Sequence, residues 1–405
     1  MAETIILIGG SVRAAAQSVQ RAGCTTWCCD LFADQDLLAC APVRQIHANE
    51  YPHQFAGILR KEAPSGPVLY TGGLENQPDL IEQIGRDREI LGNSASTLKR
   101  VRNPFQLADA WKAHGAVFPA VMPYAFENKA SGQWLLKSMN SSGGSGVHEY
   151  AVATIGLNSK HYYWQQRIEG EPFSAVYVGN GDQAVCVGVS QQWVGQQWLN
   201  APCFAYCGSI GPIALHESMQ KQYQQLGTII AKQFQIKGLF GIDTIHGQGA
   251  VWPIEVNPRF TASVEVYERV ANQSLFHAHI AACRQASLQP AMGFIQELAS
   301  HTATLVCKVI LYNNATTWLF PRWEANAMAA SLMANDNMIL TLSDWPQAGT
   351  RMLPHQPLCS LILKLHHAPL LDVQPIIKAV VQCLRQCLDH LPKLPSAMKE
   401  KCLCS

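Results

Sequence analysis

The stretch GIDTIHGQGAVWPIEVNPR, residues 241–259, reads as two apolar segments joined by the turn sequence HGQG. Alternate side chains of a strand share one face, so Glu255 and Asn257 are expected to point the same way. If the two segments pair through the turn, Asp243 lies beside them. Two carboxylates and an amide oxygen make an all-oxygen site that suits Mg²⁺ bridged to nucleotide phosphates. An ordinary hairpin with a polar face explains poorly why such residues cluster within an apolar strand, with Arg259 placed to hold a phosphate.

A second motif precedes this one. Residues 134–147 read WLLKSMNSSGGSGV, a strand with Lys137 near its end, followed by a loop at 140–146 made of Asn, Ser and Gly alone. Glycine lets the backbone approach a ligand closely, so the loop can present several N–H groups to phosphate oxygens. Lys137 adds a point charge. No GK[ST] sequence closes the loop, so it is not a P-loop, and a flexible hairpin loop is the alternative interpretation.

The hydrophobic pattern predicts three parts. An apolar run at 4–8, a helical segment at 11–22 and a second strand at 24–30 open a parallel βαβ sheet. Short strand-like segments separated by polar turns follow between 134 and 189, a pattern typical of antiparallel sheet. We therefore predict an α/β and α+β protein whose domains span residues 1–105, 106–295 and 296–405.

The turn after the first strand raises an alternative function. Gly9 and Gly10 lead into a helix, and Asp30 follows at the position where a dinucleotide-binding fold has its ribose-binding acid. The turn reads GGSVRA rather than GxGxxG, so the match to a nicotinamide site is weak. A structural turn, with Arg13 lining a substrate cleft, is the favoured interpretation.

Composition excludes several classes of protein. Lys+Arg 30 against Asp+Glu 29 gives a net charge of +1, and 15% of the 405 residues are charged, which disfavours a basic nucleic-acid-binding protein. The sequence contains no run of eighteen apolar residues, so no transmembrane helix is expected. The acidic start MAE is unlike a signal peptide. The 14 cysteines are irregularly spaced and form no CxxC…CxxC pattern, which indicates reduced thiols in a cytoplasmic protein.

Taken in order, KSMNSSGGSGV, QQRIEGEPFS and GIDTI…VWPIEVNPR resemble the ATP-grasp superfamily. LIGGSVRAAAQSVQRAG, VLYTGGLENQPDL, LGNSASTLKRVRNP and EVNPRFTASVEVYE are similar to a branch of predicted ATP-dependent carboligases, distant relatives of biotin carboxylase and carbamoyl-phosphate synthetase. The resemblance covers residues 4 to about 285. It implies an N-terminal open parallel (pre-ATP-grasp) sheet, a two-lobed ATP-grasp unit that clamps ATP, and a small mixed C-terminal domain.

The resemblance also implies roles for individual residues. Lys137 contacts the nucleotide, the loop at 140–146 closes over the phosphates, and Arg259 stabilises the developing phosphate charge. Residues 165–168 form a hinge whose backbone reads the adenine edge. Glu171, with Glu169 as the alternative, binds the ribose. The ATP-binding residues predicted in addition to Lys137 are Ser141, Ser142, Gly143, Gly144, Ser145, Gly146, Gln165, Gln166, Arg167, Ile168 and Glu171, and the metal ligands are Asp243, Glu255 and Asn257.

Two positions depart from the family pattern. Many members have Asp-Lys where this chain has Arg102-Asn103, and that lysine helps to bind the phosphates. Either Lys99 or Arg102 is expected to replace it. The proline that usually follows the loop-leading lysine is Ser138 here.

The implied activity is ligation of a small-molecule carboxylate to an amine through an acyl-phosphate, with ATP and Mg²⁺ (Mn²⁺ as a second candidate) as cofactors and ADP as product. Coenzyme biosynthesis is the expected setting, no nucleic acid or membrane is expected as a partner, and a homodimer is left open. Three alternatives remain: a carboxylase-like enzyme that uses bicarbonate, a non-catalytic ATP-binding regulatory protein, and a nicotinamide-dependent oxidoreductase. Substrate specificity is expected to reside in the N-terminal part, with these candidates: Arg13, Asp30, Asp34, Asp36 and Glu75.

Overall fold

The computed structural model describes residues 2–124, 134–149, 161–314, 318–320, 338–367 and 369–389. Its N-terminal part is a parallel sheet with the strand order β3-β2-β1-β4. The strands are β1 (Thr4–Gly9), β2 (Thr25–Asp30), β3 (Val43–Gln45) and β4 (Val68–Tyr70), and the helices are α1 (Arg13–Arg21), α2 (Gln35–Leu38), α3 (Phe55–Lys61), α4 (Pro78–Gly85) and α5 (Ala95–Val101).

The first strand explains why this sheet forms. Residues 5–8, IILI, are fully buried on both faces of β1, as expected for a strand in a parallel sheet whose two faces are covered by helices. Its end closes tightly, because a Cβ on Gly9 would overlap the hydroxyl of Thr71. The carboxyl edge of the sheet therefore depends on this glycine.

The first lobe of the middle part is a small antiparallel sheet beside one helix. Asn103 caps that helix by accepting from the amides of Phe105 and Gln106 at 3.0 and 3.3 Å, and Pro104 occupies the first turn. The described strand order is β5-β8-β6-β7. The elements are α6 (Pro104–Ala113), β5 (Val121–Pro123), β6 (Trp134–Ser138), β7 (Val147–Glu149) and β8 (Tyr162–Gln166).

The second lobe contains the large sheet, in which eight described strands follow the order β13-β12-β9-β10-β11-β14-β18-β16. Helices pack on it and bury two of the main hydrophobic clusters. The elements up to residue 300 are β9 (Glu171–Asn180), β10 (Ala184–Val194), β11 (Tyr206–Gly211), α7 (Glu217–Phe234), β12 (Lys237–Gly247), β13 (Ala250–Asn257), α8 (Val264–Ala271), α9 (Phe276–Gln285) and α10 (Gln289–Ser300).

The C-terminal part extends this same sheet rather than beginning a new one. β11 pairs with β14 from Gly208↔Val309 to Gly211↔Val306, so the sheet is continuous across the predicted boundary at 295. The domain limits themselves stay a prediction. The remaining elements are β14 (Thr304–Tyr312), β15 (Trp318–Leu319), β16 (Met338–Ser343), β17 (Arg351–Met352), β18 (Pro357–His366) and α11 (Leu370–Asp389).

The hairpin predicted from the sequence is present. β12 and β13 are antiparallel, and the two residues between them, Gln248 and Gly249, both have positive φ, 52° and 73°. That conformation matches the twist of a two-residue hairpin. The predicted fold class, an N-terminal parallel sheet followed by antiparallel α+β lobes, is confirmed. Within the described ranges, no helix is both long and apolar enough to cross a membrane.

Candidate active site

A cleft of about 610 Å³ lies between the two lobes. Its walls come from the loop after β6, the segment after β8, and the facing ends of β10, β12 and β13. The predicted site residues on these walls are Lys137, Ser142, Gly143, Gly144, Gln165, Gln166, Arg167, Ile168, Asp243, Glu255, Asn257 and Arg259.

The three predicted metal ligands meet on the β12–β13 hairpin. Asp243 pairs with Glu255 across the two strands, and Asn257 Nδ2 donates to Asp243 Oδ2 at 2.8 Å. Gln192 Nε2 donates to the other oxygen of Asp243 at 3.0 Å. The register shifts just after Asp243, where Ile254 is the extra residue of a bulge on β13. Sequence spacing predicted that the three would share a face, but not the bulge or the contribution of Gln192.

The electrostatic surroundings divide the two carboxylates. Burial, reinforced by the charge of Glu255, raises the pKa of Asp243 to about 6. Burial also opposes ionisation of Glu255, but the charges of Arg102 and Lys137 hold the pKa of that carboxyl below its ordinary value. Near neutral pH the resting site therefore holds Glu255 firmly ionised, whereas Asp243 titrates close to that range.

The donor set suits a hard cation that shares its ligands with a phosphate. In the part of the chain that the structure describes, no three His, Cys, Asp or Glu side chains converge as a metal site. Mg²⁺ commonly binds through one or two carboxylates together with substrate phosphates and water. Thr261 lies on the cleft wall beside these residues, and its buried hydroxyl has no hydrogen-bond partner among the residues that the structure describes. Such an orphaned polar group fits a site that is completed by a ligand.

Arg259 lies at the end of the hairpin and joins the cleft to the N-terminal part. Its Nε donates to Glu75 Oε1 at 2.9 Å, and its Nη2 donates to Asn257 Oδ1 at 3.3 Å. Glu75 is buried, and its second oxygen has no partner in the described structure. Gly72 packs against the guanidinium, since a Cβ there would lie 3.4 Å from Cζ.

Lys137 is buried at the end of β6, where it donates to Gln165 Oε1 at 3.0 Å. Gln165 in turn donates to the carbonyl of Ile254 on the second lobe at 3.3 Å. The amide oxygen of Gln165 carries no net charge and so does not neutralise the ammonium of Lys137. The ammonium can therefore also contact an anion in the cleft. The sequence motif predicted the position of this lysine, whereas the link through Gln165 follows from the fold.

The glycine-rich loop packs directly on the second lobe. Gly143, Gly144 and Gly146 have φ of 61°, 84° and 75°, which favours glycine. A Cβ on Gly144 would overlap the carbonyl oxygen of Phe204, and Tyr206 N donates to Gly143 O at 3.3 Å. Ser141 lies at the junction with Arg102, while Ser145 donates to Ser142 O at 2.7 Å within the loop. Ser145 and Gly146 are not among the cleft-lining residues described.

The hinge after β8 contributes both side chains and backbone to the cleft. Gln166 exchanges hydrogen bonds with the backbone of Ala120, at 2.8 and 3.2 Å. Among the described residues, no backbone hydrogen bond uses residues 167–169. Arg167 and Ile168 line the cleft, so their N–H and C=O groups are available to a ligand, whereas the carbonyl of Glu169 packs against Gly247.

The predicted ribose-binding acid does not itself line the cleft. Glu171 is exposed at the start of β9 and accepts from Gln191 Nε2 at 3.5 Å, and its neighbours Gly170 and Pro172 form the wall. Glu169 is exposed and also absent from the wall. Glu149 is on the wall, 3.0 Å from Arg167 Nη1. No signal in the sequence singled out Glu149, because its position depends on the pairing of β6 with β7.

The structure separates the two candidates for the missing lysine. Arg102 lies between the lobes with 12% of its side chain exposed: its Nη1 donates to Glu255 Oε1 at 2.6 Å, and its Nη2 donates to Ser141 O at 2.8 Å. Lys99 points away and pairs with exposed Asp79 at 2.7 Å. Arg102 alone of these two candidates touches both the acidic group and the glycine-rich loop.

Comparison with known proteins relates the central part of the chain to a known family. Residues 101–263 match the family model of the ATP-grasp domain. Residues 101–263 form an ATP-grasp domain. The resemblance seen in the sequence is thus confirmed at the level of the superfamily, and the narrower carboligase branch remains a prediction. Among curated proteins, none matches the sequence.

Solved structures share the fold over nearly the whole chain. The biotin carboxylase domain of 2-oxoglutarate carboxylase from Hydrogenobacter thermophilus, solved with MgADP, ADP and bicarbonate, is 12% identical with a TM-score of 0.70, covering 97% of this chain and 91% of that one. N5-carboxyaminoimidazole ribonucleotide synthetase from Thermotoga maritima is 14% identical (TM-score 0.62; 95% and 98% covered). L-amino acid ligase from Bacillus licheniformis is 12% identical (TM-score 0.64; 93% and 96% covered).

The N-terminal glycine turn lies outside the ATP-grasp domain and does not form the dinucleotide site considered as an alternative. Asp30 is buried, and its two oxygens accept from the amides of Val12, Phe32 and Ala33 at 2.8, 2.7 and 2.7 Å. This carboxylate is 1% exposed and turned toward backbone amides, so it is not presented to a ribose. The sequence predicts that Arg13 lines a substrate cleft. In the structure Arg13 does not line the cleft but is buried against Glu265 and Asp344.

Proposed function

We propose that this protein is an ADP-forming ligase that joins a carboxylate to an amine at the expense of ATP. The observation that carries the proposal is the convergence, in one cleft of an ATP-grasp fold, of Lys137, the glycine-rich loop, Arg259 and the acidic hairpin group. Each feature alone occurs in many proteins. Together, on opposite walls of an interlobe cleft, they match the needs of phosphoryl transfer, which depends on positioning and charge neutralisation.

The shape of the cleft supports one orientation for ATP. The free backbone groups of Arg167 and Ile168 suit the adenine edge, and the cleft volume of about 610 Å³ falls within the range of small-molecule sites. The phosphates would then run past Lys137 toward the glycine-rich loop, whose N–H groups and left-handed turns suit phosphate oxygens. A ribose contact by Glu171 or by Glu149 is part of this proposal.

Asp243, Glu255 and Asn257 would hold Mg²⁺ on the other side of the phosphates. When bound, the cation neutralises phosphate charge and favours the ionised form of Asp243. Glu255 is already ionised beside Arg102. Arg102 is therefore proposed to replace the first-lobe lysine of related proteins, because a modest movement exchanges its carboxylate partner for a phosphate.

The chemistry then follows in two steps. A carboxylate oxygen of the first substrate attacks the γ-phosphorus, the bond to the bridging oxygen of ADP breaks, and an acyl-phosphate forms. The amine nitrogen attacks the acyl carbon, the bond to the phosphate oxygen breaks, and inorganic phosphate and a proton leave. Arg259 is placed to hold the transferred group, and the packing of the glycine-rich loop against Phe204 would exclude water from the acyl-phosphate.

The test is ADP release by the purified protein with ATP, Mg²⁺ and mixtures of carboxylic acids and amines. Release should require both an acid and an amine, and Glu255→Ala should lower it by at least about a thousandfold through loss of charge neutralisation. Glu217→Ala is the matched control, since Glu217 is a surface residue 75% exposed and paired with Lys221. Unchanged turnover in Glu255→Ala would exclude the metal assignment.

Two further arms separate the alternatives. Release that depends on bicarbonate rather than on an organic acid would indicate the carboxylase-like enzyme. Tight binding of ATP and Mg²⁺ without release in any mixture would indicate a regulatory protein. A place in coenzyme biosynthesis and a homodimer are carried by the sequence resemblance and belong to the proposal only in that sense.

A further inference from the structure

A second cavity, of about 210 Å³, lies outside the cleft, where the N-terminal sheet meets the C-terminal part. Ser11, Phe32 and Asp34 line it on one side, and Ile310 and Leu358 line it on the other. It is smaller than the usual range for drug-sized ligands, and most of its lining is apolar. Its dimensions therefore suit a compact ligand with an apolar body.

The two sides of this cavity are firmly joined. Gln35 N donates to Trp345 O at 2.8 Å, and its side chain donates to Pro346 O at 2.7 Å. Gln347 Nε2 donates back to Ala33 O at 2.9 Å. The loop that carries Asp34 is thus fixed against the C-terminal part, so the cavity is a preformed feature of the fold.

Asp34 is the unexplained residue of this cavity. Its side chain is 6% exposed, yet it makes no capping bond to α2 and accepts no hydrogen bond from any residue that the structure describes. Nearby acids all have partners: Asp30 accepts backbone amides, Asp36 accepts the amides of Asp344 and Trp345, and Asp344 accepts from Arg13 and Ser360. A buried carboxylate without a partner is costly, so it points to a ligand.

The charge of Arg13 favours the ionised form of Asp34, but among the described residues the nearby cations contact other acids. Arg13 donates to Glu265 and Asp344, and Lys308 Nζ donates to Glu265 Oε2 at 2.8 Å. Burial, together with the charges of Asp344, Asp30 and Asp36, raises the pKa of Asp34 well above its ordinary value. A bound cation would reverse that shift, because it would supply the charge that the cluster lacks.

We propose that this cavity binds the protonated nitrogen of a compact, largely apolar amine, with Asp34 as its acceptor. Contacts within the protein connect the wall of the cavity with the wall of the cleft: Thr71 Oγ1 donates to Ser11 O at 2.9 Å, and the adjacent Gly72 packs on Arg259. We assign the cavity to the amine substrate of the ligation, which would bind there as the ammonium and transfer its proton to Asp34 before its nitrogen attacks the acyl-phosphate. That assignment rests on the proposed function, whereas amine binding by Asp34 does not.

Calorimetric titration of the full chain without ATP tests the binding alone. The probes are butylamine, isopentylamine and phenethylamine, each compared with the alcohol of the same skeleton. The amines should bind more tightly than the alcohols, and Asp34→Asn should raise their Kd at least about tenfold while leaving the alcohols unchanged. Asp79→Asn, at a position 88% exposed, is the control. Equal binding of amine and alcohol, or retained amine binding in Asp34→Asn, would overturn the proposal.

A second variant guards against a folding defect. Ser11→Leu, at the exposed rim of the cavity, should weaken amines and alcohols alike by filling space. If neither variant changes binding, the amines bind elsewhere and the cavity is excluded. Once turnover is found, Asp34→Asn should raise KM for the amine and leave KM for ATP unchanged. Asp34-dependent binding without any ADP release would keep the cavity and refute the ligase, and an unchanged amine KM would refute its assignment to the substrate.

Discussion

Two groups of acidic residues, with similar composition, have opposite surroundings in this molecule. Glu265, between α8 and the C-terminal strands, accepts from Arg13, Lys308 and Arg269, so both of its oxygens are engaged by cations. Glu255, in the cleft, accepts from Arg102 on one oxygen, and its side chain is 25% exposed. The first group is saturated by the protein itself, and the second faces an open volume.

The difference shows how acidic residues that serve the fold can be told from those that serve a ligand. Burial opposes ionisation of Glu265, but the charges of Arg13, Lys308 and Arg269 hold the pKa of that carboxyl well below its ordinary value. In the cleft, the neighbouring Asp243 has a pKa raised to about 6, and its hydrogen-bond partners, the side chains of Gln192, Asn257 and Ser174, are all neutral. A carboxylate that the protein leaves undercompensated at a cavity is the better candidate for a functional residue.

Substituting one acid of each group tests this difference with the largest expected effect. Glu265→Gln should lower the free energy of unfolding by about 3–5 kcal/mol, because it leaves buried cations uncompensated. Glu255→Gln should change it by less than about 1 kcal/mol, since Arg102 also donates to the carbonyl of Val256 at 3.2 Å and to Ser141. Urea denaturation at neutral pH measures both values.

The pH dependence sharpens the same test. Because the folded pKa of Glu265 is lowered, its contribution is complete above the ordinary glutamate range and is lost as the pH falls through the folded value. The stability gap between wild type and Glu265→Gln should therefore persist down to acidic pH. A loss in Glu255→Gln as large as that in Glu265→Gln would show that both groups are structural.

Local patterns predicted much of the fold and the acidic hairpin group. Strand alternation placed Glu255 and Asn257 on one face, and the turn at Gln248–Gly249 set the pairing with Asp243. Those signals are short-range, so a single sequence carries them. The contribution of Gln192 and the burial of Arg13 depend on contacts between distant segments, which periodicity and spacing do not encode.

Arg102 shows the same limit and gives the second test. The sequence left Lys99 and Arg102 open, because they lie three residues apart at the end of one helix, and the tertiary structure turns only Arg102 into the site. Arg102→Ala should lower kcat/KM for ATP by about a hundredfold, mostly through KM, since a charged hydrogen bond to phosphate is worth roughly 2–3 kcal/mol. Steady-state ADP release with varied ATP measures this.

Lys99→Ala is the matched control for Arg102, and it should leave both constants within about twofold, since exposed ion pairs contribute little. If Lys99→Ala were the more damaging variant, Lys99 rather than Arg102 would be the residue that binds the phosphates in place of the usual lysine. That result would contradict the comparison, because Arg102 would then be dispensable although it contacts Glu255 in the cleft.

The smallest expected effect concerns the glycine-rich loop, which belongs to the ligand-facing region only if its packing against the second lobe matters. Gly143 and Gly144 both have positive φ, but a Cβ on Gly143 meets no atom within 4 Å, whereas one on Gly144 overlaps the backbone of Phe204. Alanine at either position carries the same backbone strain of roughly 1 kcal/mol. Gly144→Ala alone also separates the loop from the second lobe.

Gly143→Ala should therefore lower kcat/KM for ATP at most about fivefold, the factor equivalent to about 1 kcal/mol of strain, and Gly144→Ala should lower it further, at least about tenfold. Uncoupled ATP hydrolysis, measured as ADP release without amine, should rise in Gly144→Ala because water reaches the acyl-phosphate. Equal behaviour of the two variants would mean that strain alone limits the loop. Its contact with Phe204 would then belong, like the Glu265 group, to the architecture rather than to the chemistry.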